Sequence, residues 1–570
     1  MFLRASFSFI MSVGSTLIYT TGLLSSACYA AESIPLNNGS QVISQQQQRQ
    51  KAMEKHLNPT AKDVRLLPSV SSSGKVTFPQ EKKCFLIKEI FIEGKGKLPW
   101  GETLQTLANQ ASGKCVGGEG INLLVRVLQN RLVERGYITT RVIVPEQNLK
   151  SGTLKLKLVL GRIGKVKLDE KSDRYIRRYN TLPAHAGSLL NLRDIEQGLE
   201  NLQRLPTTQA AIKIMPGEQP GESDINVNWQ QQKMWRLGVT LDDAGNVSTG
   251  RYQGALSLSV DNPLSLGDLL YFSTSKNLHN KNHQQSKNIT AHYSVPLGYW
   301  TLGATAYHYE YLQRVSGLYQ DFRYGGQIKN VDVQISRVLH RGRSHKTSFT
   351  YNILARESSN YIQDVWLPEQ ARRTSAWRLG LQHRHYLGQT TLDAAVSYQR
   401  GTRWFGAQPA PEERSGYATA LGKIGTLSLQ VNTPFQLMNQ QFRFNTSYFQ
   451  QFSKTALTSP DQISIGNRYT VRGFDGERTL MASEGWFLRN DIAWRTPLPN
   501  QELYFGFDYG KVSGSGSEYL AGTHLAGGQL GIRGNAFNGS YNLFAGVPFS
   551  KPDAFATSPV TLGFTLSWNY

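Results

Sequence analysis

From residue 233 to residue 570 the chain breaks into segments of about ten residues whose polarity alternates, separated by tight turns and longer loops in turn. Successive strand residues point to opposite faces, so such a stretch offers one apolar and one polar face along its length. Short turns fall at 261–267, 295–299, 340–346, 388–389, 434–440, 497–501 and near 535–540. Seven turns of this kind imply eight hairpins, hence a transmembrane antiparallel β-barrel of about sixteen strands. The last segment, 560–570, sets Leu562, Phe564, Leu566, Trp568 and Tyr570 on one face, which suits a lipid-facing closing strand. A hydrophobic content of 39% with 53 glycines, and no apolar run of spanning length after the first thirty residues, excludes a bundle of transmembrane helices. A barrel of this width leaves a lumen that wall side chains cannot fill, so it is either a pore or plugged.

The first thirty residues carry a basic residue at Arg4, an apolar middle and small residues at the exit, which reads as a secretory signal cut after Ala30. Ser25 stands where a lipoprotein site carries an aliphatic residue, which argues against anchoring through Cys28. Removing 1–30 leaves two cysteines, Cys84 and Cys115, in a chain on an export route. Together these imply a disulfide in an oxidising compartment, closing a loop worth roughly 3 to 4 kcal/mol in the chain-entropy model. The net charge of +21 is spread over strands and soluble segments rather than gathered on one element. It therefore reads as a polar lumen and charged loops, and excludes a nucleic-acid binder.

The front half is soluble in character. Residues 31–58 contain a glutamine-rich tract and a helix expected from a Ser44 cap to Leu57, ended by Pro59; 59–83 reads as a linker. By composition alone this region is a tether or a helix. Residues 84–161 form a compact β/α unit. In it a helix carries Leu124, Val127, Leu128 and Leu132 on one face and stops at Gly136, and a strand sets Leu154, Leu156, Leu158 and Leu160 strictly on one side. Residues 162–232 repeat the plan, with Asn191 capping a helix striped by Leu192, Ile195, Leu199 and Leu202.

The stretch 464–491, S-I-G-N-R-Y-T-V-R-G-F-D-G-E-R-T-L-M-A-S-E-G-W-F-L-R-N-D, holds Val471, Arg472, Gly473 and Phe474 in a segment, 452–483, too long for a hairpin turn. A planar, permanently charged guanidinium beside a glycine and an aromatic asks for a fixed carboxylate. Asp491 and Asp508, the latter in F-G-F-D-Y-G ending at Gly510, are the barrel-wall candidates, with neither preferred. This constellation resembles the two-partner secretion transporters (TpsB family), relatives of the outer-membrane assembly insertases. The resemblance implies that 452–483 is the sixth long loop folded back into the lumen with V-R-G-F at its tip, and that 31–58 is a plug helix. It also implies that 84–161 and 162–232 are two periplasmic POTRA domains, and that the ending on Trp568 and Tyr570 is a barrel signal.

By the same resemblance the protein sits in the outer membrane of a Gram-negative bacterium, among lipid and lipopolysaccharide, as a monomer. Its partner is a secreted β-helical exoprotein (a haemolysin, adhesin or contact-dependent inhibition toxin), bound in extended form and passed through the barrel. A barrel-assembly insertase is the alternative, though insertases usually carry more modules; a solute porin would need neither the modules nor the loop. No enzymatic, nucleotide or metal motif is present, so neither catalysis nor a cofactor is expected. His383 and His385 read as wall histidines, and the basic tract 340–346 as a solvated turn.

Overall fold

A computed structural model describes residues 38–58, 63–66, 75–279, 284–316 and 319–570. The signal segment expected over 1–30, Cys28 and much of the stretch 59–83 expected as a linker lie outside the described residues. Sixteen antiparallel strands close into a barrel, each paired with its sequence neighbour, and the last, Thr561–Asn569, seals against the first, Trp235–Asp242. Tyr570 exchanges main-chain hydrogen bonds with Leu237 at 2.8 and 3.0 Å and its ring lies 5.7 Å from that of Trp235, so the terminal aromatic is part of the seam. The alternation read from sequence has its physical counterpart in the strand Gln253–Asp261. There Leu256 and Leu258 face outward and exposed, while Ser257 and Ser259 face inward and buried.

The wall is asymmetric in its connections. One end carries two- to seven-residue turns, the other the long loops, of which the residues 453–483 between Gln440–Phe452 and Glu484–Arg495 turn inward. Two small α/β modules stand at the short-turn end. In the first, the helices Gly101–Ala108 and Gly118–Glu134 lay Leu104, Leu124, Leu128 and Leu132 against Leu154, Leu156 and Leu158 of the strand Thr153–Val159. The Gly101–Ala108 helix was not anticipated: eight residues with one buried leucine give too little periodicity to read. A two-stranded ribbon, Phe85–Ile87 with Lys114–Val116, flanks this core, and Cys84 and Cys115 are joined across it by a disulfide.

The second module pairs Glu222–Gln231 between Arg162–Leu168 and Thr208–Pro216, covered by the helix Leu192–Leu202. The Asn191 side chain accepts from the Arg193 N–H at 2.9 Å, capping that helix as its sequence position suggested. Trp229, wholly buried, donates from its indole to the Leu202 carbonyl at 3.1 Å, so the sheet holds the helix end.

The N-terminal helix runs Asn38–Leu57 and lies inside the barrel. It begins a turn and a half before Ser44, which is buried within it rather than capping it. The early turn is stabilised by the lumen: Val42 and Ile43 pack on Tyr309, Tyr311 and Ile328 of the wall.

Candidate functional site

The inward loop has a built stem and a built tip. Ile463–Ile465 pairs antiparallel with Leu480–Ala482, and Ile463, Ile465, Val471, Phe474 and Leu480 form an apolar cluster with Val512, Leu525 and Phe555. Phe474 meets Phe555 edge to face at 5.8 Å. This packing turns Arg472 toward the wall, where its side chain is 4% exposed. Its Nε donates to Asp508 Oδ2 at 2.6 Å and its Nη2 to Asp508 Oδ1 at 2.7 Å, a bidentate fork. Its Nη1 donates to Asp491 Oδ1 at 2.6 Å, so the guanidinium engages both carboxylates at once. Asp508 also accepts from the Arg472 main-chain N–H at 3.0 Å, fixing backbone and side chain together.

The wall beneath the tip is made of glycine. A Cβ on Gly527 would lie 2.0 Å from the Arg472 carbonyl oxygen, one on Gly510 2.7 Å from Val471 Cγ2, and one on Gly506 2.6 Å from Arg472 Nη2. Gly473 is doubly required: its φ of +96° is left-handed, and a Cβ there would meet the Val547 carbonyl oxygen at 2.3 Å. Removing side chains from these wall positions is what lets a loop backbone lie directly on strand backbone.

The helix Asn38–Leu57 occupies the lumen beside the same loop and touches it. Arg49 donates to Asp242 at 2.9 Å, and Gln50 accepts from Asn288 at 2.9 Å and Thr290 at 3.2 Å. Asn467 of the loop donates to Gln48 at 2.8 Å, and Arg468 pairs with Asp243 at 2.6 Å. A cavity of about 330 Å³ is left between helix, loop tip and wall. None of Gln48, Arg49, Asp242 or Arg468 was singled out from sequence; the glutamine-rich tract, a tether or a helix by composition, bonds to wall and loop through Gln45, Gln48 and Gln50. Arg49→Ala leaves Asp242, a lumen carboxylate, without its cation. The expected result is a several-fold rise in open-channel events in planar bilayers with the barrel still folded; unchanged traces would mean that the helix is held elsewhere.

The tract 340–346 departs from the solvated turn expected of it. Arg341 is buried and donates to Glu200 at 2.7 Å, Gln197 at 2.9 Å and the Val64 carbonyl at 3.0 Å. Lys346 pairs with Glu200 at 2.6 Å and with Asp63, which also accepts from Tyr386 and from Arg384 at 3.3 Å. The reason is tertiary: the acidic face of Leu192–Leu202 and the linker descend onto this turn and neutralise it. The second module is further joined to the neighbouring turns, Asn180 donating to Leu266 and Pro296 carbonyls at 2.7 and 3.0 Å and Tyr299 to Asp194 at 2.6 Å.

Burial alone would raise the Asp63 carboxyl, but Lys346, Tyr386 and Arg384 outweigh it and hold the group down at about 2. A depressed carboxylate stabilises above its unfolded value of about 3.9 and loses that contribution as pH falls through its folded one. Linker protection from pepsin should therefore be constant down to about pH 4 and fall between about pH 4 and 2. Asp63→Asn, probed with a neutral protease, should show that loss already at neutral pH; equal protection of variant and wild type would remove Asp63 from the latch.

Sixteen strands, a lumen stoppered by its own helix and returned loop, and two α/β modules docked at the turn end together define an outer-membrane polypeptide transporter. A family model described as haemolysin secretion/activation protein ShlB/FhaC/HecB matches residues 221–534, an ShlB-type POTRA domain model residues 85–161, and a further POTRA domain model residues 162–216. The chain is 35% identical over 510 residues to outer membrane transporter CdiB-2 of Burkholderia pseudomallei strain 1026b, spanning 86% of this chain and 87% of that one. It is 26% identical over 502 residues to hemolysin transporter protein ShlB of Serratia marcescens, spanning 86% and 88%. The solved structure of CdiB from Acinetobacter baumannii superposes with a TM-score of 0.84 at 28% identity, covering 94% of this chain and all of that one. The chain belongs to the ShlB/FhaC/HecB family, the outer-membrane transporters of two-partner secretion, with its POTRA modules in the periplasm.

Proposed function

We propose that this transporter captures a large β-helical exoprotein (a haemolysin, adhesin or contact-dependent inhibition toxin) in extended form and passes it outward after helix and loop leave the lumen. The observation that carries the reading is the chemistry of the closure. Among the described residues both stoppers rest against the wall through hydrogen bonds, ion pairs and side-chain packing, with no covalent cross-link, so an entering chain that supplies replacement contacts can displace them. Folding of the client at the surface then opposes its return. The transporter acts as a monomer, with its barrel in outer-membrane lipid and its long loops against lipopolysaccharide.

The capture edge is assigned to Thr208–Pro216. The opposite edge of that sheet, Arg162–Leu168, is partly covered, since Ile163 exchanges main-chain bonds with Ser188 and Gly187 at 2.9 and 2.7 Å. In the first module the edges are three and five residues long, against nine here. An extended peptide can add to such an edge by main-chain hydrogen bonds, with alternate side chains such as Lys213 and Met215 reading it.

The test is protease-accessible exoprotein at the surface of cells carrying wild type or a deletion of residues 84–230, with a photo-crosslinker placed at Lys213 or, as control, at Lys155. Client at the surface only with the intact chain, normal levels of other barrels, and crosslinks from Lys213 alone are expected. Depletion of other barrels would indicate an insertase instead. Crosslinks from Lys155 and none from Lys213 would move capture to the first module.

A further inference from the structure

On the outer face of the barrel, at its periplasmic rim, lies a group of basic and imidazole side chains that the transport reading does not use. Register and exposure settle which face they occupy. Val331, Val333, Ile335, Arg337 and Leu339 are the exposed alternate residues of the strand Asp321–Arg341, and after the irregularity between Val338 and His340 the pair His340 with Thr347 continues that face. Across the next pairings Phe349 stands opposite the exposed Leu381, and His345 opposite His385 four residues further toward the rim. The apolar residues are the lipid belt. The histidines and Arg337 sit at its lower margin, where Trp300, paired with Arg337 in register, marks the aromatic girdle.

These groups do not face open periplasm. A cleft of about 690 Å³ lies between this rim, the Arg193 region of the second module and the end of the Gly118–Glu134 helix in the first. Arg131, Arg135 and Trp100 line its far side, and Arg337, His340 and His345 its near side. Arg131 is paired with Glu134 at 2.7 Å and Arg193 with Glu196 at 2.7 Å. Arg135 and Arg337 are different: each guanidinium stacks on a tryptophan, Trp100 at 5.4 Å and Trp300 at 4.8 Å, and neither has a carboxylate within ion-pair distance among the described residues. The His340 and His345 rings stack at 4.8 Å, joined by a 2.9 Å hydrogen bond, with His383 and His385 each about 6 Å from His345. Two cations without carboxylates, on opposite walls of one cleft, with imidazole donors on the same wall as Arg337 and the apolar belt above it, fit a phosphate whose substituents run upward along Ile335 and Leu302.

We propose that this cleft binds the phosphate headgroup of an anionic glycerophospholipid from the periplasmic leaflet, with its acyl chains on the outward face of the strands Trp300–Ser316 and Asp321–Arg341. Bound lipid bridges both POTRA modules to the barrel, adding to the Arg341 and Lys346 contacts on the lumen side. Arginine suits this place because its stem and face tolerate an apolar, aromatic setting while its fork grips phosphate oxygens.

The test is native mass spectrometry of the purified full-length protein titrated with phosphatidylglycerol, with phosphatidylcholine, and with phosphatidylglycerol in excess inorganic phosphate. One phosphatidylglycerol should bind in preference to phosphatidylcholine and survive inorganic phosphate. In Arg135→Ser/Arg337→Ser its affinity should fall about thirtyfold, the loss of two basic residues at an anionic lipid surface. Neither residue bears an ion pair, so the variant should keep its heat-modifiable migration. Lys423→Ser/Lys511→Ser, at the opposite rim, should bind as wild type, and His345→Gln/His385→Gln should show an intermediate loss. Wild-type affinity in the arginine variant, equal binding of phosphatidylcholine, or displacement by inorganic phosphate would each overturn the assignment, the last in favour of a free-anion site.

Discussion

Arg472→Ala should cut exoprotein at the cell surface at least about tenfold while the barrel still assembles and migrates as a folded species. A tenfold population change needs only ~1.4 kcal/mol, and the contact removed is larger than that. Asp508 is wholly buried and loses the bidentate fork, keeping main-chain donors from residue 472 and, at 3.3 Å, Asn490, with Arg489 as a more distant cation at 3.9 Å. Breaking a fully buried pair costs about 3 to 5 kcal/mol, and the cavity that Arg472 itself lines lowers the figure without erasing it. Arg472→Lys should fail in the same way, because a single ammonium cannot serve Asp508 through two nitrogens and Asp491 through a third. Arg472→Ala with Asp508→Asn separates structure from function: removing the stranded charge should restore thermal stability while secretion stays low. Undiminished secretion by Arg472→Ala would sink the proposed role of the loop tip.

Gly527→Val should produce the second large effect, an open pore. The Cβ would fall 2.0 Å from the Arg472 carbonyl oxygen, and because that atom is backbone it cannot swing aside as a side-chain end would. The loop must lift off the wall, taking Val471 and Phe474 out of their apolar cluster, while strand pairing between Gln501–Ser513 and His524–Ala536 persists. Single-channel conductance should rise several-fold over wild type. Gly425→Val is the matched control, since a Cβ there meets nothing nearer than 3.9 Å. Closed traces from Gly527→Val would show that the loop does not rest on this part of the wall in the membrane.

The strands, the turns between them and the two modules were readable because their signals are local. A residue's neighbour two positions away decides which face of a strand it serves, and Leu154, Leu156 and Leu158 or Leu256 and Leu258 carry that information in a few residues. Asn191 before Leu192 announced a helix start for the same reason. The helix Gly101–Ala108 escaped because it is short, and the early start at Asn38 because its stabiliser, the Tyr309 and Tyr311 pair, lies more than 250 residues away.

Contacts at that separation are what tertiary structure alone decided. The sequence by itself determined an antiparallel barrel with two modules ahead of it, a long sixth loop, and an arginine at its tip in need of a carboxylate. It offered Asp491 and Asp508 as alternatives; closure of the wall sets both inward on adjacent strands, so one planar guanidinium satisfies the two together. It showed the tract 340–346 only as basic, and docking of Glu196, Glu200 and Asp63 turned a charge run into a buried latch. Coulombic and hydrogen-bonding partners are chosen by distance in space, and a chain carries no local mark of which distant carboxylate will come within 3 Å of a given cation.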